Sequence, residues 1–477
     1  MQGMADPLQD KPELAKVLDF VVGEAKSYLE TLDSSVVRPG GVEAAAERFN
    51  GSLPEDGKGA LEAVTTLWSE GLDASIRASG PRFFHFIVGG ATPAALGADW
   101  ITSLLDQNPG MWLASPLGGQ LETVSLAWLR DLFELPAEWG GVLTSGATMA
   151  NFVSFAAARR WWAGEHGVDV DDDGIGSLPT TPVFSSGYVH LSVNKALGML
   201  GIGRNTIVKL SSDDTGKLDL AALETALQDL NGAPAILCAS AGEVNTGHFD
   251  PIDQMADLAE KYNAWLHVDG AFGLFARVTP QISELAAGTE RADSVTSDAH
   301  KWLNVPYDCG FAFLKDETAL RGVFASSAPY LSGVDEPKPN YAFMVPESSQ
   351  RARGLTLWAT LRAYGRSGYR AMIERHLSLA QRLAELVDAA PELERMSDVP
   401  LNIVCFRWHP EGVEEEELDV LNSKLAEAVI EDGRVIFGTT IYKGQVAFRP
   451  AIVNWRTTEK DIELIVDVVK ELGAKLA

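Results

Sequence analysis

Apolar residues recur at helical spacing near the start of the chain. PELAKVLDFVVGEAKSYLETL, within residues 11–35, and ALEAVTTLWSEGL, within 60–78, each carry an apolar stripe along one face. A Gly/Pro-rich link, RPGG through LPEDGKG, separates them. A segment this poor in strands needs another surface to cover its stripes, such as a second subunit. From about residue 81 the pattern becomes mixed. LETVSLAWLRDLF reads as a helix, and GGVLTSGATMANFVSFAAARRWWA as strand, turn and helix. APAILCASAG is a short apolar strand, followed by the helix PIDQMADLAEKYN and the strand AWLHVDGAFG. DSVTSDAH and CGFAFLKD are two further strands. Short apolar strands alternating with helices predict an α/β fold, with a mostly parallel sheet flanked by helices.

Residues 321–350, containing SSAPYLSGVDEPKPNYAFMVPESSQ, show no periodicity, and a loop of that length inside a compact enzyme is usually functional. One long helix follows, LTLWATLRAYGRSGYRAMIERHLSLAQRLAELVDAA. The tail alternates LNIVCFRW, EELDVLNSKLAEAVIE, GRVIFGTTIYKGQVAFRP and TEKDIELIVDVVKELG, which predicts a smaller α/β domain. The expected organisation is a helical N-terminal segment over 1–80, a large domain over 81–365 and a small C-terminal domain over 366–477. No internal repeat is visible.

Composition narrows the partners. Among 477 residues, 66 Asp and Glu against 39 Lys and Arg leave a net charge of −27. Such a surface repels phosphate backbones and anionic lipid, so neither nucleic acid nor membrane is expected as a partner. Cys238, Cys309 and Cys405 are too scattered for a disulfide framework or a zinc site, which suits a reducing cytoplasm. The first twenty residues carry charges where a signal peptide needs an apolar core, and no apolar run approaches the roughly 18 residues of a membrane span. The expected location is cytoplasmic. DVDDDG, from Asp169, imitates the start of a calcium loop, but the twelfth position is Thr180 rather than glutamate. It reads as a solvated acidic loop, and no metal is expected.

Four features carry candidate chemistry. Lys301, in SDAHKWLNVPYDCG, follows a β-branched run that reads as a strand. It is either a surface lysine or a nucleophilic amine of the kind that forms Schiff bases with carbonyls, pyridoxal phosphate included. Asp269 ends the apolar strand of WLHVDGAFG, where a carboxylate is costly unless paired. It either caps a turn or pairs with a pyridinium nitrogen and keeps that ring an electron sink. LTSGATMANF leaves a strand and opens a helix, so the amides of Ala147 and Thr148 could meet a phosphate, although such turns are common. His190, ahead of an amphipathic helix, either stacks on an aromatic ring or is a structural histidine. Lys195, within that helix, is the rival amine and is expected to face solvent.

Taken in order, TSGATMAN, HLSVNKA, HVDGAFG and SDAHKWLNVPYDCG resemble the successive signatures of the group II pyridoxal-phosphate-dependent amino-acid decarboxylases, a family that includes aromatic-L-amino-acid decarboxylase and glutamate decarboxylase. The likeness runs from PRFFHF at 81 to ARGLTLWATLRAYG at 365, and HKW is its most specific element. The resemblance implies pyridoxal-phosphate fold type I and an obligate homodimer with shared active sites, residues 1–80 serving dimerisation. It assigns Lys301 to the Schiff base, Asp269 to the pyridine nitrogen and His190 to the ring face. Ala147, Thr148 and His300 would hold the phosphate, and Asp298 falls where relatives carry Asn or Asp near the cofactor. Arg353 matches an arginine often kept after the loop, with a cofactor-side or a structural role.

Loss of carbon dioxide leaves a carbanion at Cα that must be protonated. In the family a loop tyrosine does this, and SSAPYLSG puts Tyr330 at its place. Relatives with phenylalanine there tend to be aldehyde synthases, so Tyr330 argues for plain decarboxylation to the amine. After RFF, the family's pocket segment reads HFIVGGA, offering Phe86, Ile87 and Val88 as an apolar wall for an aromatic or large apolar side chain. DQNPGMW would reach the partner's site. There Asn108 and Gly110 replace bulky apolar residues of the aromatic decarboxylases and make the pocket wider or more polar. Glu243 and Val244 stand where many relatives have a threonine pair, which predicts a changed cofactor contact. The leading expectation is an aromatic substrate. The alternatives are an acidic amino acid, for which Arg82 is the obvious cation, and an aldehyde synthase on the same fold.

Overall fold

The computed structural model describes residues 6–325 and 338–476. Seven strands form its main sheet: β1 (Gly140–Thr144), β2 (Val183–Ser185), β3 (Ile207–Lys209), β4 (Ala235–Ser240), β5 (Ala264–Asp269), β6 (Ser294–Asp298) and β7 (Gly310–Leu314). Their order is β1-β7-β6-β5-β4-β2-β3. β7 runs antiparallel to both its neighbours, and the other pairs are parallel. β4 and β5 are buried at every position because helices cover both faces, which is why their sequences read as unbroken apolar runs. The helix Ala147–Glu165 crosses β5, β6 and β7. Its small residues Ala150, Ala156, Ala157 and Ala158 are all buried and let its axis come close to the sheet.

The pattern that read as one long helix spans Arg353–Ala389, but Gly365 (φ 57°, ψ −173°) breaks it into two. Only glycine takes that backbone without strain, so the break is local chemistry. Before it, Leu357 and Leu361 pack in the large core; from Leu379 onward the helix packs against the small domain. That domain has an antiparallel sheet of β8 (Leu393–Arg395), β9 (Phe406–Trp408), β10 (Thr439–Tyr442) and β11 (Gln445–Phe448), in the order β10-β11-β9-β8. The helices Glu415–Asp432 and Glu459–Leu476 complete it.

The N-terminal stripes form the helices Leu14–Thr31 and Ala60–Gly71, shorter than their sequence pattern because the chain turns off at each C-terminus. They touch through Tyr28 and Trp68, whose rings meet edge to face at 5.9 Å. Neither helix buries a residue, and Leu14, Leu18, Val22 and Leu67 stay exposed.

The turn after β6 is tied to three other stretches of the chain. Trp302 is fully buried, and its indole N–H donates to His376 Nδ1 at 2.8 Å. An indole N–H can only donate, so His376 carries its proton on Nε2 and donates it to the Asn454 carbonyl at 3.0 Å. Asn304 donates to the Val453 carbonyl at 3.0 Å and accepts from the Trp455 amide at 2.9 Å. On the other side, Gly89 N–H donates to the His300 carbonyl at 3.3 Å. A Cβ on Gly89 would stand 1.8 Å from the Lys301 carbonyl, so only glycine fits.

Trp302→Phe keeps most of the ring and leaves His376 Nδ1 buried without a donor. We expect it to cost about 1–3 kcal/mol, read from the urea midpoint; an unchanged midpoint would show that the bond is not structural. Burial, then the Arg375 charge, lowers His376 from 6.5 to about 3. The unfolded chain therefore takes up this proton first on acidification. Stability from this group is complete above about 6.5 and is lost as pH falls from 6.5 towards 3. His376→Gln should flatten the acid limb of a stability–pH curve over that window, and an identical slope in parent and variant would contradict the assignment.

Candidate active site

β5 and β6 are parallel neighbours, and each ends in an aspartate. Asp269, at the end of β5, is 6% exposed. Its Oδ2 accepts from Asn151 Nδ2 at 3.0 Å and its Oδ1 from the Ala271 amide at 3.2 Å. These donors are neutral, and among the described residues no lysine or arginine pairs with this carboxylate. A buried carboxylate in that position is short of a cation, and a protonated ring nitrogen is a suitable one.

Asp298 ends β6. Its Oδ2 lies 3.0 Å from Lys301 Nζ, and its Oδ1 lies 3.4 Å from His300 Nε2 and accepts the Ala147 amide at 2.6 Å. The structure thus brings together Lys301, Asp298, His300 and the first turn of the helix Ala147–Glu165. The Ala147 amide is satisfied by Asp298. Thr148, next in that turn, is half-buried. His300 Nδ1 accepts from the Cys309 amide at 3.2 Å, and its ring lies 4.4 Å from that of Tyr307. Burial holds His300 below its usual pKa and outweighs the raising effect of Asp298.

His190 is the N-cap of the helix Leu191–Met199. Its Nδ1 accepts from Ser192, from the hydroxyl at 2.7 Å and the amide at 3.3 Å. Burial lowers its pKa; Asp269 and Asp298 oppose the shift, and Lys301 and Arg449 add to it. Lys195 is exposed on the far side of that helix, as its position in the amphipathic pattern requires.

The expected pocket residues divide. Phe86 is 63% exposed and stacks on His85 with centroids 3.6 Å apart. Ile87 is buried in the large core, and Val88 packs with Val37, Phe83 and Ile436. Asn108 uses its amide within the chain: Oδ1 accepts from the Gly110 amide at 3.1 Å and the Gln350 amide at 3.0 Å, and Nδ2 donates to the Ser348 carbonyl at 3.4 Å. Glu243 is buried within its own loop, accepting from the Thr246 amide at 2.8 Å and hydroxyl at 2.9 Å. Arg353 donates to Asp308 Oδ1 at 2.9 Å. Tyr330 lies outside the described residues. The acidic run is less solvated than its sequence suggests: Asp169 caps the helix Val170–Asp173, and Asp171 pairs with Arg159 at 2.8 Å.

Arg82 does not supply the cation expected of it. Its guanidinium donates to the Asp33 carbonyl at 3.1 Å and the Ser35 carbonyl, and stands 3.8 Å from Asp461, so it fastens the N-terminal segment. Arg449, from the C-terminal segment, lies within electrostatic reach of His85 and His190. It is half-buried, donates to the Val244 carbonyl at 3.1 Å, and has no ion pair among the described residues. Burial, then the Arg449 charge, lowers His85 to about 4. Nothing in FRPAIVN marks this arginine, because only the tertiary fold carries it to the sheet. Asn151 and His267 were also missed, yet were legible in part: Asn151 lies one helical turn after Ala147, and His267 shares a strand face with Asp269.

A reactive amine beside a carboxylate, a buried acceptor for a ring nitrogen, a neutral imidazole and a helix N-terminus fit pyridoxal phosphate. The comparisons agree. The profile described as the pyridoxal-dependent decarboxylase conserved domain matches residues 52–409. The chain is 27% identical over 461 residues to an aromatic-L-amino-acid decarboxylase of Bacillus atrophaeus, covering 95% of this chain and 92% of that one. It is 30% identical over 434 residues to an L-2,4-diaminobutyrate decarboxylase of Rhizobium meliloti (strain 1021), covering 89% and 84%. Oryza sativa TDC, crystallised with PLP and tryptamine, shares the fold at a TM-score of 0.90 and 24% identity, over 98% of both chains. Among the described residues no helix is long and apolar enough to cross a membrane. The chain belongs to the pyridoxal-dependent decarboxylases, enzymes that use pyridoxal phosphate to break a carbon–carbon bond of an amino acid.

Proposed function

We propose that this decarboxylase converts an aromatic L-amino acid to its amine and carbon dioxide, as a cytoplasmic homodimer with shared active sites. The observation that carries the site reading is the meeting of Lys301 Nζ and Asp298 at 3.0 Å beside the buried Asp269. Bound pyridoxal phosphate supplies an aldehyde for amines and a ring that takes up the electron pair released at Cα. Lys301 would hold the cofactor through its amine, and Asp298, with Oδ2 3.0 Å from Nζ, would position that amine. Asp269 would keep the ring nitrogen protonated, and neutral His190 would cover a ring face. Thr148 and His300 would hold the phosphate at the helix N-terminus, joined by the Ala147 amide if it leaves Asp298 Oδ1. Tyr330 returns a proton to Cα.

For the aromatic substrate, the Bacillus relative and the outward ring of Phe86 are the support. Phe86 (φ 56°) and Ile87 (φ 59°) both adopt left-handed backbone, which is strained for non-glycine residues and worst for a β-branched one. The dimer reading rests on apolar side chains left uncovered in one chain: Leu104 and Leu113 are 75% and 82% exposed, in addition to the N-terminal helix faces. The cytoplasmic reading rests on three buried free cysteines. A second reading, an acidic substrate, is favoured by Arg449. In the first reading this arginine meets the α-carboxylate; in the second it meets the side-chain carboxylate.

The holoenzyme given Trp, Tyr, Phe, dopa, Glu, Asp or 2,4-diaminobutyrate separately should yield amine from the aromatic acids, read by mass spectrometry. Amine from Glu or Asp alone would transfer the proposal to the acidic reading, and amine from diaminobutyrate alone would end both. Tyr330→Phe should slow amine formation by roughly 10²–10⁴-fold and release aldehyde with peroxide in its place. Amine formed at the parent rate would remove Tyr330 from the proton transfer.

A further inference from the structure

The residues assigned to the ring nitrogen and the ring face do not act separately in this structure. A single buried chain of hydrogen bonds joins them. Trp265 Nε1 donates to Ser294 Oγ at 3.0 Å, and Ser294 Oγ lies 2.9 Å from His267 Nδ1. His267 Nε2 lies 2.9 Å from Asn151 Oδ1, which also accepts from Thr296 Oγ1 at 2.8 Å. Asn151 Nδ2 then donates twice, to Asp269 Oδ2 at 3.0 Å and to Ser192 Oγ at 3.1 Å. Ser192 Oγ lies 2.7 Å from His190 Nδ1. Asn151, His267, Ser294 and Thr296 are 0% exposed, and Ser192 is 2% exposed.

Both ends of this chain have a fixed polarity. An indole N–H only donates and an ionised carboxylate only accepts. The carboxylate end sets the order: Asn151 must turn its amino group to Asp269 and its oxygen to His267 and Thr296. Neutral His267 then donates from Nε2, so its Nδ1 accepts from Ser294, which accepts from Trp265. The second amino hydrogen goes to Ser192, whose hydroxyl proton is left for His190 Nδ1. Each direction follows from the one before it, and no alternative arrangement satisfies all the partners.

We propose that Asn151 is a positioning residue that couples the two faces of the cofactor site: it aims Asp269 and, through Ser192, fixes His190 as the neutral tautomer that presents Nε2–H. This rests on the site reading given above for Asp269 and His190. One neutral amide thus sets the acceptor strength facing the ring nitrogen and the charge facing the ring plane. The charged and titratable groups facing His190 are Asp269, Asp298, Lys301 and Arg449. Those facing Asp269 are His190, His267 and Cys238. Asn151 adds no charge to this set.

The test uses the full-length holoprotein with Asn151→Ala, Ser192→Ala and the double variant, each without substrate. Two quantities are read: the pyridoxal phosphate dissociation constant, from tryptophan fluorescence, and the pH midpoint of the bound cofactor's visible absorption. Each single variant is expected to weaken cofactor binding by roughly ten-fold and to move the midpoint by about one pH unit. The double variant should do little more than the worse single one, because both cut the same chain. Loss of packing alone would lower stability and affinity without moving the midpoint. Midpoints equal to the parent's, or effects that multiply in the double variant, would overturn the coupling. If Asn151→Ala does not fold, Ser192→Ala carries the test alone, since it cuts only the branch to His190. Lys301→Ala is run alongside. A parent whose visible band persists in Lys301→Ala removes the site reading itself, whereas a lysine-dependent band with unmoved variants removes only the coupling.

Discussion

The donation from the Trp302 indole to His376, passed on to the Asn454 carbonyl, is the bond on which the site depends. A lysine side chain has four rotatable carbons, so its amine is only as well placed as the backbone beneath it. Here the backbone from Ala299 to Val305 is held on three sides: by the segment around Gly89, by the helix that contains His376, and by the C-terminal stretch Val453–Trp455. The last two connect the large and small domains through the turn that carries Lys301. The side-chain donors of this clamp, Trp302 Nε1, Asn304 Nδ2 and His376 Nε2, each meet an acceptor, as a dry interior requires.

Electrostatics in the site follow from burial more than from net charge. The chain carries a net charge of −27, yet the residues around Lys301 are few and specific. Two buried carboxylates stand on adjacent strands, Asp269 served by neutral donors and Asp298 by the lysine ammonium and the Ala147 amide. Burial keeps His190, His267 and His300 below their usual pKa, so they act as hydrogen-bonding groups with defined tautomers rather than as cations. The positive charge in this neighbourhood comes from Lys301 and Arg449, one from each domain.

The uncovered apolar surface has a consistent distribution. It lies along the N-terminal helices, the helix Pro93–Leu105 and the stretch reaching Leu113, with Phe86 nearby in the sequence. Phe86 and Ile87 adopt left-handed backbone, and the described residues leave most of the Phe86 ring uncovered.

Much of the fold was legible from the residue pattern. β4 and β5 announce themselves as apolar runs, the helix after Thr144 by its small residues, and the N-terminal helices by their stripes. β2 and β3, with three residues each, were not legible, because a period of two cannot register over so short a span. The break at Gly365 was hidden inside an unbroken helical pattern, since a single glycine leaves the apolar spacing intact. For the site, Lys301, Asp269, His190 and the turn at Ala147 could be chosen because their positions at strand and helix ends are local features. Arg82 was named as a candidate cation and Arg449 was not: both are arginines beside apolar residues, and only the packed structure sends the first to the N-terminal segment and the second to the Val244 carbonyl after β4. The sequence by itself determined which groups end each element. Which of them meet, and which way each proton points between Trp265 and His190, was decided only by the tertiary structure, because hydrogen-bond direction depends on contacts between residues as far as 145 positions apart.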